Sequence, residues 1–125
     1  MLKLEYCLTR KREMSRADFQ TYWRETHAPL VAAAKDALAI RRYVQVHTVE
    51  TPLSDGLGKA RPGMTAADYD GVAELWWDDR DSLVAAMSSE DGQRHGAILA
   101  ADEAKFIDFS RSRIFFGEEY QVIGD

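Results

Sequence analysis

The groups in this 125-residue chain that could do chemistry are three histidines, several tyrosines and one carboxylate set in an apolar run. His27 lies in FQTYWRETHAPLV, where Phe19, Tyr22, Trp23, Thr26, His27 and Leu30 recur every three or four residues. It therefore shares a helix face with Phe19 and Trp23. A histidine at the edge of an apolar core has its near-neutral pKa retuned by partial burial, and can take a proton from a bound molecule and return it. The structural alternative is that its ring nitrogens tie off backbone groups freed by Pro29. The spacing leaves both roles open.

His47 and His95 lie on other elements. None of the three histidines forms a His-x-x-x-His pair on one helix, so no metal site is expected. His47 falls near a strand end, whereas the apolar partners of His95 place it on an inward face. If both helices cover one side of a sheet, His27 and His95 could meet across a cavity. Tyr6, Tyr22 and Tyr43 supply phenols that could orient a substrate oxygen, or pack with a satisfied hydroxyl. Trp23, Trp76 and Trp77 could line an aromatic pocket or fill the core. Glu74, within GVAELWW, needs a partner, and Arg111 or Arg113 on the last strand is the expected one.

Several chemistries are excluded. There is no Gly-x-Gly-x-x-Gly, no phosphate-binding Gly-Lys-Ser/Thr loop, no Gly-x-Ser-x-Gly elbow and no Cys-x-x-Cys, so no cofactor is implied. A formal net charge of −5 argues against nucleic acid, and Arg10-Lys11-Arg12 is too short a basic run to reverse that. The single cysteine, Cys7, cannot form an internal disulfide and reads as a small buried hydrophobe. No stretch approaches a membrane span and the N-terminus carries Lys3 and Glu5, so a cytoplasmic address is expected.

The elements that must position these groups follow from periodicity. LKLEYCLTR alternates as a strand; Ser15 and Asp18 resemble a capping box opening the His27 helix, which should break near His27 and Ala28 and restart through LVAAAKDAL. IRRYVQVHTVE is a second strand with Tyr43, Gln45 and His47 on one face. Residues 51–69 form a long loop. DGVAELWWDD is the third strand, and RDSLVAAMSS begins a helix. Gly92 should interrupt before a further helix carrying His95, Ile98, Leu99, Asp102 and Phe106 on one face, and SRSRIFFGEEYQVI is the fourth strand.

This order implies one α+β domain over residues 1–125 with a ferredoxin-like split βαβ plan, an antiparallel four-stranded sheet with helices on one face. Trp76 and Trp77 point to opposite sides, as do Phe115 and Phe116, so the second sheet face also carries bulky groups. A homodimer with the two sheets facing each other would cover it.

DFQTYWRETHAPLV resembles the signature helix of EthD-type proteins, members of the dimeric α+β barrel superfamily. YDGVAELWWDDRDSLVAAMSS and DEAKFIDFSRSRIFFGEE are similar to that family's second half. The resemblance implies a ferredoxin-like fold paired into a barrel, with a hydrophobic cavity between each sheet and its helices. His27 falls on the histidine of the Tyr-Trp-x-x-x-His-Ala-Pro pattern, which implies a role at the cavity. The expectation is a cofactor-independent lyase acting on a small hydrophobic aromatic or phenolic compound. In it His27, His95 and Tyr22 are the catalytic candidates, and Phe19, Trp23, Tyr43, His47 and Trp76 bind the substrate. A binder of a hydrophobic metabolite and a cofactor-free monooxygenase are the alternatives.

Overall fold

The computed structural model describes residues 1–125. The elements run β1 (Leu2–Leu8), α1 (Arg16–Tyr22), a π-helical turn (Trp23–His27), α2 (Ala28–Ala33), β2 (Arg42–His47), α3 (Leu53–Lys59), β3 (Gly71–Trp77), α4 (Arg80–Ser88), α5 (Glu90–Glu103), a 3-10 turn (Phe109–Arg111) and β4 (Arg113–Glu118). All strand pairs are antiparallel, in the order β2-β3-β1-β4. This is the ferredoxin-like α+β plan. No helix is long and apolar enough to cross a membrane.

Register sorts the side chains. Leu4 lies opposite Leu75 and Phe116, Tyr6 opposite Ala73 and Ile114, and Tyr43 opposite Leu75, so these residues share the helix-covered face. Lys3, Glu5, Glu74, Trp76 and Phe115 alternate onto the other. The core beneath the helices forms two clusters, one around Phe19, Trp23 and Phe106, the other around Val31, Leu38 and Trp77. A buried node fastens the start of α1 to the sheet: the Asp70 carboxylate accepts hydrogen bonds from the Arg10 backbone and from the Arg10 and Arg16 side chains.

Four expectations need correction. The helix does not break at Pro29. A proline ring clashes with the carbonyl four residues back in an α-helix, and the chain widens into one π turn, with Ala28 N–H bonded to the Trp23 carbonyl five residues back. The 51–69 stretch is no uninterrupted loop, because Leu53–Lys59 is helical. Gly92 does not interrupt a helix. It sits in the first turn of α5, where Ser89 ends α4 and caps α5, and a Cβ there would stand 1.7 Å from the Ala86 carbonyl oxygen, so only glycine allows the tight corner. Finally, Glu74 pairs with Lys3 at 2.8 Å, and Lys3 also holds Glu5 at 2.9 Å, because β1 and not β4 is the neighbour of β3.

Candidate functional site

The π turn presents Trp23 and His27 to the sheet, both almost fully buried at 1% and 5% exposure. A π turn inside an α-helix often marks a functional position. Here α5 crosses it. Asp102, the next-to-last residue of α5, places Oδ2 2.8 Å from His27 Nδ1, while its Oδ1 accepts a 2.7 Å hydrogen bond from the Tyr22 hydroxyl. Phe106 packs against the His27 ring with centroids 5.1 Å apart, and against Phe19 and Tyr22.

These contacts fix the protonation states. Burial pushes the Asp102 carboxyl up, but the hydrogen bonds from Tyr22 and His27 prevail and hold it below its ordinary range. An ionised Asp102 keeps the neutral imidazole's proton on Nδ1. Burial lowers the His27 pKa, only partly offset by the bond and charge of Asp102, so the ring is neutral near pH 7 with its lone pair on Nε2. The bond to Asp102, aided by burial, pushes the Tyr22 phenol up to about 12, so it keeps its proton and serves to hold Asp102.

His27 opens onto a cavity of about 430 Å³ between the helices and the sheet. Of its 20 lining residues 17 are hydrophobic, and the other three are His27, Gly96 and Glu103. That volume suits a small organic ligand. Tyr43 also lines it. Its hydroxyl accepts a 2.8 Å bond from the Gln45 amide, which also donates to the Trp23 carbonyl, so the phenol proton is left to point at a ligand. That orientation of Gln45 makes its Oε1 the acceptor for His47 Nε2–H at 2.8 Å, and the His47 ring stacks on Trp23 at 4.5 Å. No cluster of three or more His, Cys, Asp or Glu side chains stands within metal-binding reach.

The structure thus brings His27, Trp23 and Tyr43 to the cavity. Tyr22 stands behind them on Asp102, Phe19 is sealed in the core at 0% exposure, and His47 sits behind Trp23. Trp76 is on the opposite sheet face, between the Lys3 ammonium and the Arg42 guanidinium, because its neighbour Trp77 takes the helix side and bonds the Leu38 carbonyl. His95 does not reach the cavity. The lining stripe of α5 runs through Gly96, Leu99 and Glu103, one residue on from the expected face, and His95 lies beside Arg94 instead. Sequence reasoning put Asp102 on the inward face and Gln45 on the face of Tyr43 and His47, both without a role, and passed over Glu103. The available signal was the adjacent acid pair inside AILAADEAKF.

A family model described as the EthD domain matches residues 11–110. The chain belongs to the EthD family. Among solved structures, an ethyl tert-butyl ether d (EthD) family protein from Bacillus halodurans c-125 matches with a TM-score of 0.63 at 23% identity, over 96% of this chain and 99% of that one. An EthD-like protein from Ralstonia eutropha jmp134 matches at 0.55 and 18% identity, over 94% and 90%. A dimeric protein of unknown function with a ferredoxin-like fold, from Bacteroides fragilis, matches at 0.57 and 10% identity, over 94% and 95%. Such distant likeness speaks for the fold alone. No curated protein matches the chain. Within this EthD domain the buried Asp102–His27 pair stands beside a cavity lined mostly by hydrophobic side chains.

Proposed function

We propose that this EthD-family chain is a cofactor-independent acid/base enzyme of the lyase type, acting on a small hydrophobic aromatic compound held in the cavity. The observation that carries the reading is a buried carboxylate–imidazole pair whose free nitrogen opens onto a cavity lined mostly by hydrophobic side chains. His27 Nε2 takes a proton from the substrate, and Asp102 stabilises the imidazolium that forms. The Tyr43 phenol donates to a substrate oxygen, and the dry wall strengthens both interactions. The departing group takes a proton from the site, the proton on His27 replaces it, and the protein ends unchanged.

The test is product analysis on a panel of aromatic hydroxy and carbonyl compounds with the wild type and His27→Gln. Turnover that survives the substitution undiminished removes His27 from the chemistry. A ligand bound by both proteins and recovered unaltered from both turns the reading to a binding protein.

We also infer that the functional unit is a homodimer. The outer sheet face leaves Val46 46% and Phe115 58% exposed around the Lys3–Glu5–Glu74 group, and Tyr120, Val122 and Ile123 beyond β4 are more exposed still. Light scattering should give twice the chain mass, reduced to the single mass by Phe115→Glu. A monomer at micromolar wild-type concentration refutes this.

A further inference from the structure

The cavity wall contains an acid and no fixed cation. Its only lining groups outside the hydrophobic set are His27, Gly96 and Glu103, with no lysine or arginine. Glu103 follows Asp102 on α5 and faces Tyr6 of β1, with Tyr43 of β2 also within its field. The cavity residues of α4 and β4 add no charge: they are Leu83, Met87, Ile114 and Phe116. His27 is the one lining group able to become cationic, and its Nδ1 is already paired with Asp102. A ligand carboxylate would therefore enter an apolar wall beside one or two carboxyls, without a counter-charge of its own. Burying an unpaired anion in that way is strongly unfavourable.

Building on the reading of this cavity as the binding site, we propose that its ligand is an uncharged aromatic molecule whose hydroxyl or carbonyl oxygen meets Glu103, and that the wall, which offers no fixed cation, excludes anionic analogues. Burial favours the acid form of Glu103, and the neighbouring Asp102 charge adds to it, against the hydrogen bond offered by Tyr6. A protonated carboxyl has one O–H to give, and a neutral hydroxyl or carbonyl oxygen can accept it where a hydrocarbon cannot.

The assignment narrows the chemistry. Decarboxylation begins from a carboxylate, which this wall rejects, whereas loss of water from a hydroxy compound begins neutral. In that elimination the C–H proton passes to His27 Nε2, its electron pair forms the C=C bond, and the C–O bond breaks. The departing hydroxyl takes the Glu103 proton and leaves as water. The imidazolium proton then returns to the Glu103 carboxylate, so the sum is substrate to alkene plus water.

The experiment is binding of a matched pair, naphthol and naphthoate, followed by quenching of Trp23 and Trp77, the tryptophans that line the cavity. It is run at about pH 7.5, where naphthol is neutral and naphthoate ionised. Wild type should bind naphthol at least about tenfold more tightly than naphthoate, and Glu103→Lys, which supplies the missing counter-charge, should narrow the gap by admitting naphthoate. Equal or tighter naphthoate binding by wild type overturns the proposal while leaving the cavity as a binding site, and so does a gap unchanged in a folded Glu103→Lys. Failure of wild type to bind either compound refutes the cavity reading itself, and the proposal with it.

Discussion

Replacing Asp102 by Asn keeps the shape of the carboxylate but removes its charge, which isolates what that charge does for His27. In the wild type burial disfavours the imidazolium, and Asp102, 2.8 Å away at Nδ1, opposes it. A hydrogen bond to a charged group contributes about 1.5–3 kcal/mol. Withdrawing that amount from the imidazolium lowers the proton affinity of His27 by about tenfold to a hundredfold, since about 1.4 kcal/mol is a factor of ten. The direction is unambiguous: the His27 titration midpoint moves down from a value already depressed. Asn also offers an N–H to Nδ1, so the proton can shift to Nε2 and the base facing the cavity is lost. Tyr22 supplies a second readout, because its phenol is held at about 12 chiefly by the same carboxylate and should fall back towards its ordinary 10.0. Histidine NMR titration measures the first effect, and ultraviolet titration of the tyrosines the second. A His27 midpoint that stays or rises in a folded Asp102→Asn would refute the electrostatic account of the pair.

Three further outcomes follow from the packing and the charges. Phe106→Ala should cost about 3–5 kcal/mol in urea unfolding, because this fully buried ring contacts Phe19, Tyr22 and His27 at once. Gly92→Ala should cost more than about 1 kcal/mol by the same measurement, since its Cβ would overlap the Ala86 carbonyl and force α4 and α5 apart. Thermal stability should fall on acidification in two stages. The folded pKa of His27 lies below its ordinary 6.5, so the unfolded chain binds more protons in that interval, and the contribution present above 6.5 is lost as pH falls through the folded value. Asp102, depressed below its ordinary 3.8, adds a second loss at lower pH. A melting temperature flat from about pH 7.5 down to about pH 5 would contradict the His27 stage, since that range spans the ordinary histidine value.

Much of this molecule is legible from residue order. Two-residue alternation set the strands and their faces, so the opposite directions of Trp76 and Trp77 and the shared face of Tyr43, Gln45 and His47 were readable before any coordinates. Ser15 was readable as the cap of α1, and its hydroxyl accepts the Asp18 N–H. The stripe from Phe19 to His27 needed only the helical repeat. Each of these depends on neighbours a few residues apart, where backbone geometry leaves little choice.

What residue order could not decide is which faces meet. An α-helix turns about 100° per residue, so a setting that differs by one position takes His95 off the cavity and puts Gly96, Leu99 and Glu103 on it. The π turn depends on how the chain relieves the Pro29 clash, by breaking or by widening, and packing against the sheet and α5 settles that. Glu74 takes Lys3 because strand order, not strand identity, sets its neighbour. The sequence alone determined the strands, the helices other than Leu53–Lys59, and the presence of a histidine at an apolar edge. Only the tertiary structure joined that histidine to Asp102, 75 residues away, because pairing at such separation is fixed by how packed elements cross.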